Sequence, residues 1–194
     1  MSLKEQIYAV LAVSAAEKFN QALPDIFTPS VFSPLNCVSS VSAAKRAAAE
    51  RDFDFIIINS PLPDDSGIRF AIDAASSRGT VVLFLSRAEQ YPDAFDKLAE
   101  HGVFLMQKPV SSSSFRLASE WLISARERIR KTEKKTLSIE EKMNEIRIVN
   151  RAKWLLISEL KMSEPDAHRY IEKQAMDRCV SRRTIAEEII KTYE

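Results

Sequence analysis

The first part of the chain alternates short apolar runs with segments in which apolar residues recur at helical spacing. The predicted strands are Ile7–Val13, Phe55–Ile58, Val81–Leu85 and Val103–Met106, with a weaker run at Cys37–Val41, and the predicted helices are Ala15–Ala22, Ser42–Arg51, Gly67–Ser77 and Ala88–His101. Near-continuous apolar strands that alternate with helices are typical of a parallel sheet covered on both faces. The pattern therefore predicts an α/β domain with a five-stranded parallel sheet.

A helical pattern follows, without the turn residues of the first part. Serines at positions 111–114 offer N-caps for a helix that begins near Phe115. Apolar residues then recur every seven positions in two rows, Phe115, Leu122, Ile129 and Ala118, Ala125, Thr132. This spacing predicts a coiled-coil seam through Leu122, Ala125 and Ile129, and hence a homodimer. After an interruption at residues 131–135 the seam resumes with Ile139, Met143, Ile146 and Val149. A fresh helix start capped by Ser138 is the alternative to one continuous helix.

The last segment predicts three helices. The final 79 residues hold no Gly, no Phe and one Pro, Pro165, which favours helix after helix. The first helix covers Ile139–Leu160, the second is capped by Ser163 and runs to about Arg178, and the third is capped by Ser181. The predicted domains are residues 1–114, a helical linker at 115–138 and an all-α module at 139–194.

Charge is spread unevenly, although the formal net charge is only +1. Residues 1–120 carry 11 basic and 14 acidic side chains. Residues 121–138 carry six basic and two acidic side chains, and residues 139–194 carry eleven of each kind. The basic stretch is either a solvated helix surface or an attraction for phosphates. Cys37 and Cys179 stand apart, which favours a cytoplasmic protein without a metal site, and no apolar run is long enough to span a membrane.

Polar residues follow the third, fourth and fifth predicted strands. They are Asn59 in DFIIINSPLPDDSG, Ser86 in VVLFLSR and Lys108, followed by Pro109, in VFLMQKPVS. The carboxyl ends of parallel strands are where ligands bind in such folds. These segments resemble the receiver domain of bacterial response regulators over roughly residues 5–125. The resemblance implies a flavodoxin-like domain with a pocket at this edge of the sheet.

The chain departs from the receiver pattern at its acidic positions. The family has a phosphoryl-accepting aspartate where this chain has Asn59, and a Mg²⁺-binding acidic pair where it has Val13 and Ser14. An amide is not a nucleophile and Mg²⁺ prefers carboxylates, which predicts a pseudo-receiver not switched by aspartyl phosphorylation. Ser14 and Glu17 are spaced as a capping box for the first helix. The alternative is a register one residue off, with a nearby aspartate as acceptor. Asp64 and Asp65 lie nearby, but acids in such a position commonly belong to the turn itself.

The tail resembles the ANTAR domain, the RNA-binding module of the AmiR and NasR antitermination regulators. The matching stretch is VNRAKWLLISELKMSEPDAHRYIEKQAMDRCVSRRTIAEEIIKTY, where Ala152-Lys153, Ser163–Ala167, Ala175 and Ala186 fall at the family's spacing. The resemblance implies a non-enzymatic regulator without a cofactor that binds stem-loops in leader RNA. With residue 59 inert, the input is a regulatory protein, a small ligand or RNA-driven dimerisation.

RNA loops are recognised by cations and by stacking side chains. Side chains that the core does not need are the candidates, namely Arg151, Lys153, Arg169, Lys173, Arg182 and Arg183, with Trp154 and His168 as stacking groups. Packing of Trp154 at a helix crossing is the alternative to its contact with a base. Arg182 and Arg183 begin a helix, where cations oppose the helix dipole. Duplex DNA binding by a helix-turn-helix, and binding of a protein partner, remain the alternatives.

Overall fold

The computed structural model describes residues 6–77 and 79–193. The strands are β1 (Tyr8–Val13), β2 (Phe32–Val38), β3 (Phe55–Asn59), β4 (Val81–Arg87) and β5 (Phe104–Lys108). The helices are α1 (Glu17–Ile26), α2 (Val41–Glu50), α3 (Ile68–Ala75), α4 (Tyr91–Leu98), α5 (Ser112–Leu160), α6 (Glu164–Asp177) and α7 (Arg182–Tyr193). The chain divides into two compact units, residues 1–131 and 132–194.

All five strands pair in parallel in the order β2-β1-β3-β4-β5, which confirms the predicted sheet. Successive residues of β3 point to opposite faces, so Ile56 and Ile58 enter one core cluster and Phe55 and Ile57 the other. Helices α2, α3 and α4 contribute to the first cluster, and α1 and α5 to the second. Burial on both faces explains why the strands are apolar throughout.

The second strand lies earlier than predicted. The sequence placed it at Cys37–Val41, whereas β2 begins at Phe32 and Val41 already belongs to α2. Pro34 weakened the strand signal, but β2 is an edge strand, where a residue without a backbone N–H is tolerated. Ser40 ends the intervening turn as N-cap, and its side chain accepts a hydrogen bond from Ala43 N.

The first turns of α5 pack onto the sheet of residues 1–131. Leu122 is buried in the second core cluster, and Ala125 and Ile129 pack against it. Tyr8 donates from its hydroxyl to Glu127 Oε1 over 3.0 Å, which fixes this face further. Leu122 is therefore a core residue of its own domain, and Ala125 and Ile129 are partly buried against that core. A seven-residue spacing describes a helix face equally well on a sheet or in a coiled coil.

The second unit has its own core. Ala152 and Leu156 of α5 meet Ala167, Ile171 and Ala175 of α6 and Ile185, Ala186 and Ile189 of α7. Ser163 caps α6 and accepts from Asp166 N, and Ser181 Oγ accepts from Thr184 N over 3.1 Å at the start of α7. Both predicted caps are confirmed. α5 spans Ser112–Leu160 as one helix of 49 residues, so no new helix starts at Ser138.

Candidate functional site

Three polar side chains at or just after the ends of strands β1, β3 and β5 meet at the carboxyl edge of the sheet. Asn59 ends β3 and is only 7% exposed, and Ser14 directly follows β1 and is 1% exposed. Lys108 ends β5. Asn59 Nδ2 donates to Ser14 Oγ over 2.9 Å, and Lys108 Nζ donates to Asn59 Oδ1 over 2.9 Å. Three elements are thus joined by one chain of hydrogen bonds between side chains.

Neutral acceptors hold the Lys108 ammonium. Besides Asn59, Nζ donates to the backbone carbonyl of Ser60. Burial, and then the charge of nearby Arg87, lower the pKa of Lys108 from its ordinary value. A carboxylate at position 59 would instead favour the charged ammonium. The asparagine therefore keeps the lysine in place without a charge partner.

The structure uses Ser14 differently from the capping role that its spacing predicted. Helix α1 begins at Glu17 with Ala16 as N-cap, and no side chain caps it. Ser14 Oγ accepts from Ala16 N over 3.1 Å and from Asn59. The capping-box prediction is wrong because Ser14 lies two residues too early and its oxygen is engaged inside the pocket.

The remaining pocket positions carry no acid. Val13 is fully buried among the apolar residues of one sheet face, where its side chain has no oxygen to offer a cation. Ser86 is buried at the end of β4 and donates to the carbonyl of Arg87 over 3.0 Å. Across residues 6–77 and 79–193, no cluster of three or more His, Cys, Asp or Glu side chains could hold a metal ion.

The two aspartates of the following loop have structural partners. Asp64 accepts from the backbone N–H groups of Val41 and Ser42, each over 3.0 Å, at the start of α2. The hydrogen bonds from Ser42 and Val41 lower the pKa of Asp64. Asp65 Oδ1 accepts from Gly67 N over 2.7 Å, and Gly67 has a φ of 83° that favours glycine. Both carboxylates therefore shape the loop.

The second unit exposes aromatic and cationic groups on one face of α5. Trp154 is 71% exposed, and Arg147 and Arg151 lie seven and three residues before it. This spacing puts the three side chains on one side of the helix. Among the described residues, no carboxylate lies within ion-pair distance of Arg147. Sequence reasoning missed Arg147, although its position seven residues from Trp154 was a usable signal.

Two of the other predicted RNA-binding residues line one cavity of the second unit. Lys153 and Arg182 meet there with Lys142, His168 and Asn150, around a volume of about 440 Å³. Lys153 Nζ also contacts Glu164 Oε1 at 3.1 Å, and Arg182 lies 3.6 Å from Glu172 and 3.8 Å from Glu145. The cations of this cavity are therefore partly neutralised by acids.

Arg183 is paired as well, whereas two cations of α6 are not. Arg183 Nε donates to Glu187 Oε1 over 2.7 Å, and this contact raises the pKa of Arg183. The expected conflict of Arg182 and Arg183 with the helix dipole is thus offset by acidic neighbours. Arg169 and Lys173 are exposed one turn apart on α6, without an ion pair to any described carboxylate.

Comparison with known proteins agrees with both halves of this description. The family model of the ANTAR domain matches residues 138–190. The transcriptional regulatory protein PdtaR of Mycobacterium tuberculosis is 30% identical over 140 residues, which are 72% of this chain and 68% of PdtaR. No helix among the described residues is long and apolar enough to cross a membrane.

Solved structures show the fold of the first unit. The signal receiver domain of an HD domain-containing protein from Pseudomonas fluorescens is 18% identical, with a TM-score of 0.58, and covers 68% of this chain and 96% of that domain. A CheY-like receiver domain from Methylobacillus flagellatus, also 18% identical, has a TM-score of 0.52 and covers 60% of this chain and 99% of that domain. The chain belongs to the family of transcriptional response regulators that join a receiver-fold domain to an ANTAR domain, the RNA-binding module of antitermination regulators.

Proposed function

We propose that this regulator binds stem-loops in leader RNA through the face of α5 that carries Arg147, Arg151 and Trp154. The observation that carries the proposal is Trp154, an indole 71% exposed to solvent within the segment that matches the ANTAR domain. An indole offers an apolar face on which an unpaired base stacks, and the two arginines that precede it on the same helix face contact phosphates or guanine edges. Bound to a leader, such a module prevents a terminator hairpin from forming.

Loop RNA fits this surface better than duplex DNA. Residues 139–194 carry eleven basic and eleven acidic side chains, and both cations at the start of α7, Arg182 and Arg183, have acidic partners. A recognition helix for duplex DNA relies on many phosphate contacts and a clearly basic face. Stacking of splayed bases requires fewer charges, because part of the affinity comes from the aromatic contact.

Fluorescence anisotropy with the full chain tests this function. The probes are a labelled RNA with two adjacent hairpins and a labelled DNA duplex with the same number of nucleotides. We expect saturable RNA binding that weakens as salt rises, and at least tenfold weaker binding of the duplex. Equal affinities for the two probes would favour the DNA-binding alternative, and no binding of either would favour a protein-docking role.

We also propose that phosphorylation does not switch the first unit. The receiver resemblance puts Asn59 where an acceptor aspartate is expected. Its amide is engaged by Ser14 and Lys108, and Asp64 and Asp65 are held by backbone N–H groups. We expect the full chain incubated with acetyl phosphate and Mg²⁺ to keep its mass, while an intact receiver domain in parallel gains a phosphoryl group. A hydroxylamine-sensitive adduct on Asp64 or Asp65 would contradict this expectation.

A homodimer through the second unit's part of α5 is a further part of the proposal. Ile139, Met143 and Ile146 are about half exposed or more and follow the four-then-three spacing of a coiled-coil seam. Exposed apolar stripes of this kind mark association surfaces. The stripe is the later part of the predicted seam, whereas Leu122, Ala125 and Ile129 of its first part pack in or against the core of the first unit.

Replacing Ile146 by Glu is expected to convert a dimer into a monomer, because the change puts a charge into the apolar seam. Sedimentation velocity at micromolar concentration measures the change. Met176→Glu is the matched control, since Met176 is an exposed apolar residue of α6 in the same unit. A wild-type chain that sediments as a monomer, or an Ile146→Glu variant that stays dimeric, would argue against this seam.

A further inference from the structure

A cavity of about 640 Å³ opens in the first unit beside the Asn59 pocket. Its apolar wall includes Phe19, Leu23 and Ile26 of α1, Leu85 at the end of β4 and Phe115 of α5. Its size lies within the range of about 300–1,000 Å³ that small-molecule sites occupy. The cavity therefore has room and apolar surface for a ligand, and it shares Lys108 with the Asn59 pocket.

Two cationic side chains line one side of this cavity. Arg87 and Lys108 lie in its wall, and backbone pairing aligns them as neighbours at the ends of β4 and β5. Among the described residues, no carboxylate forms an ion pair with either cation. Glu89 also lines the cavity without such a contact. Two adjacent cations beside an apolar wall are complementary to a molecule with an apolar body and one anionic group.

The hydrogen bonds of Lys108 leave one donor of its ammonium group for a ligand in the cavity. Its ammonium has three donors, and two of them go to Asn59 Oδ1 and to the carbonyl of Ser60. Burial and Arg87 lower the pKa of Lys108, and an anion placed beside both cations would reverse that effect. Ser111 and Ser112 add hydroxyl groups to the same wall.

We propose that this cavity binds a small amphipathic anion, with its apolar body against Phe19, Leu23 and Phe115 and its anionic group at Arg87 and Lys108. Such a ligand supplies an input to a domain whose acceptor position is an asparagine. The bound ligand contacts Lys108, which is hydrogen-bonded to Asn59, and Asn59 is in turn hydrogen-bonded to Ser14. The proposal goes beyond RNA binding and does not depend on it.

Calorimetric titration of the full chain, without RNA, tests the proposal with octanoate and 1-octanol as probes of equal length. We expect octanoate to bind at least fivefold more tightly than 1-octanol. Arg87→Gln should remove most of that difference and leave 1-octanol binding unchanged, because Arg87 is exposed and holds the anion only. Octyl phosphate in a further arm distinguishes a phosphate from a carboxylate group, and tighter binding of either anion supports the site.

A second experiment blocks the cavity with a bulky side chain. Ala22→Trp introduces an indole at the exposed rim of the cavity, and Gln21→Trp, at an exposed position of α1 outside it, is the matched control. We expect Ala22→Trp to abolish octanoate binding and Gln21→Trp to keep it, with both variants showing the circular dichroism of the wild type. No octanoate binding to the wild type, equal affinity for octanoate and 1-octanol, or unchanged binding by a folded Ala22→Trp variant would overturn the proposal.

Discussion

Replacing Trp154 by Ala is expected to weaken binding of the two-hairpin RNA by roughly 5- to 150-fold. This range follows from base–aromatic stacking, which contributes about 1–3 kcal/mol per base. Trp154 contributes little to the hydrophobic core of the second unit, because 71% of its surface is exposed. The free energy of unfolding should therefore change little, and the loss should appear in RNA affinity alone.

The chain provides a matched control for this substitution. Trp121 lies on the same helix, is 58% exposed and belongs to the first unit, outside the ANTAR match. Trp121→Ala removes an indole of similar exposure and should leave the anisotropy titration unchanged. If both variants bind RNA as the wild type does, Trp154 has no stacking role. If both lose affinity to the same extent, the effect is not specific to the ANTAR unit.

Replacing Leu156 by Ala is expected to unfold the second unit while the first stays folded. Leu156 is 1% exposed at the centre of the core shared by α5, α6 and α7. Truncating a buried leucine costs about 2–5 kcal/mol. A core of this size rarely supplies more than about 3–5 kcal/mol, so the loss removes most of the unit's stability.

Hydrogen exchange measured by mass spectrometry separates the two units in this experiment. We expect protection to fall across α6 and α7 in the Leu156→Ala variant and to persist in the strands of the sheet. Leu160→Ala is the control, because Leu160 is 48% exposed at the end of α5 and its truncation leaves no cavity. Equal loss of protection in both variants, or none in Leu156→Ala, would contradict the core assignment.

The sheet could be predicted from sequence because its strands are buried on both faces, and burial on both faces requires continuous apolar runs. Residues 55–58 bury alternate side chains on opposite faces, so a continuous apolar run is required there. The edge strand was misplaced because Pro34 breaks that signal, and only the strand order shows that an edge position tolerates it. Helix caps at Ser163 and Ser181 were predictable, since capping depends on local chemistry.

Roles that depend on tertiary contacts were harder to predict. The seven-residue spacing of Leu122 and Ile129 describes a helix face but does not say what covers it. The partners of Arg182 and Arg183 include Glu145, Glu172 and Glu187, and only Glu187 is at helical spacing from its cation. Ser14 was assigned to a cap from its spacing to Glu17, and its contact with Asn59 could not be predicted because it spans 45 residues of sequence.

RNA binding in cells is measured by crosslinking the full chain to RNA where it is expressed and sequencing the RNA that it retains. The wild type and the Trp154→Ala variant are compared at equal protein levels. We expect leader segments with paired stem-loops ahead of terminators to be enriched by the wild type and lost with the variant. Bound RNA that matches the total transcript pool, or the same enriched leaders with both proteins, would contradict this expectation.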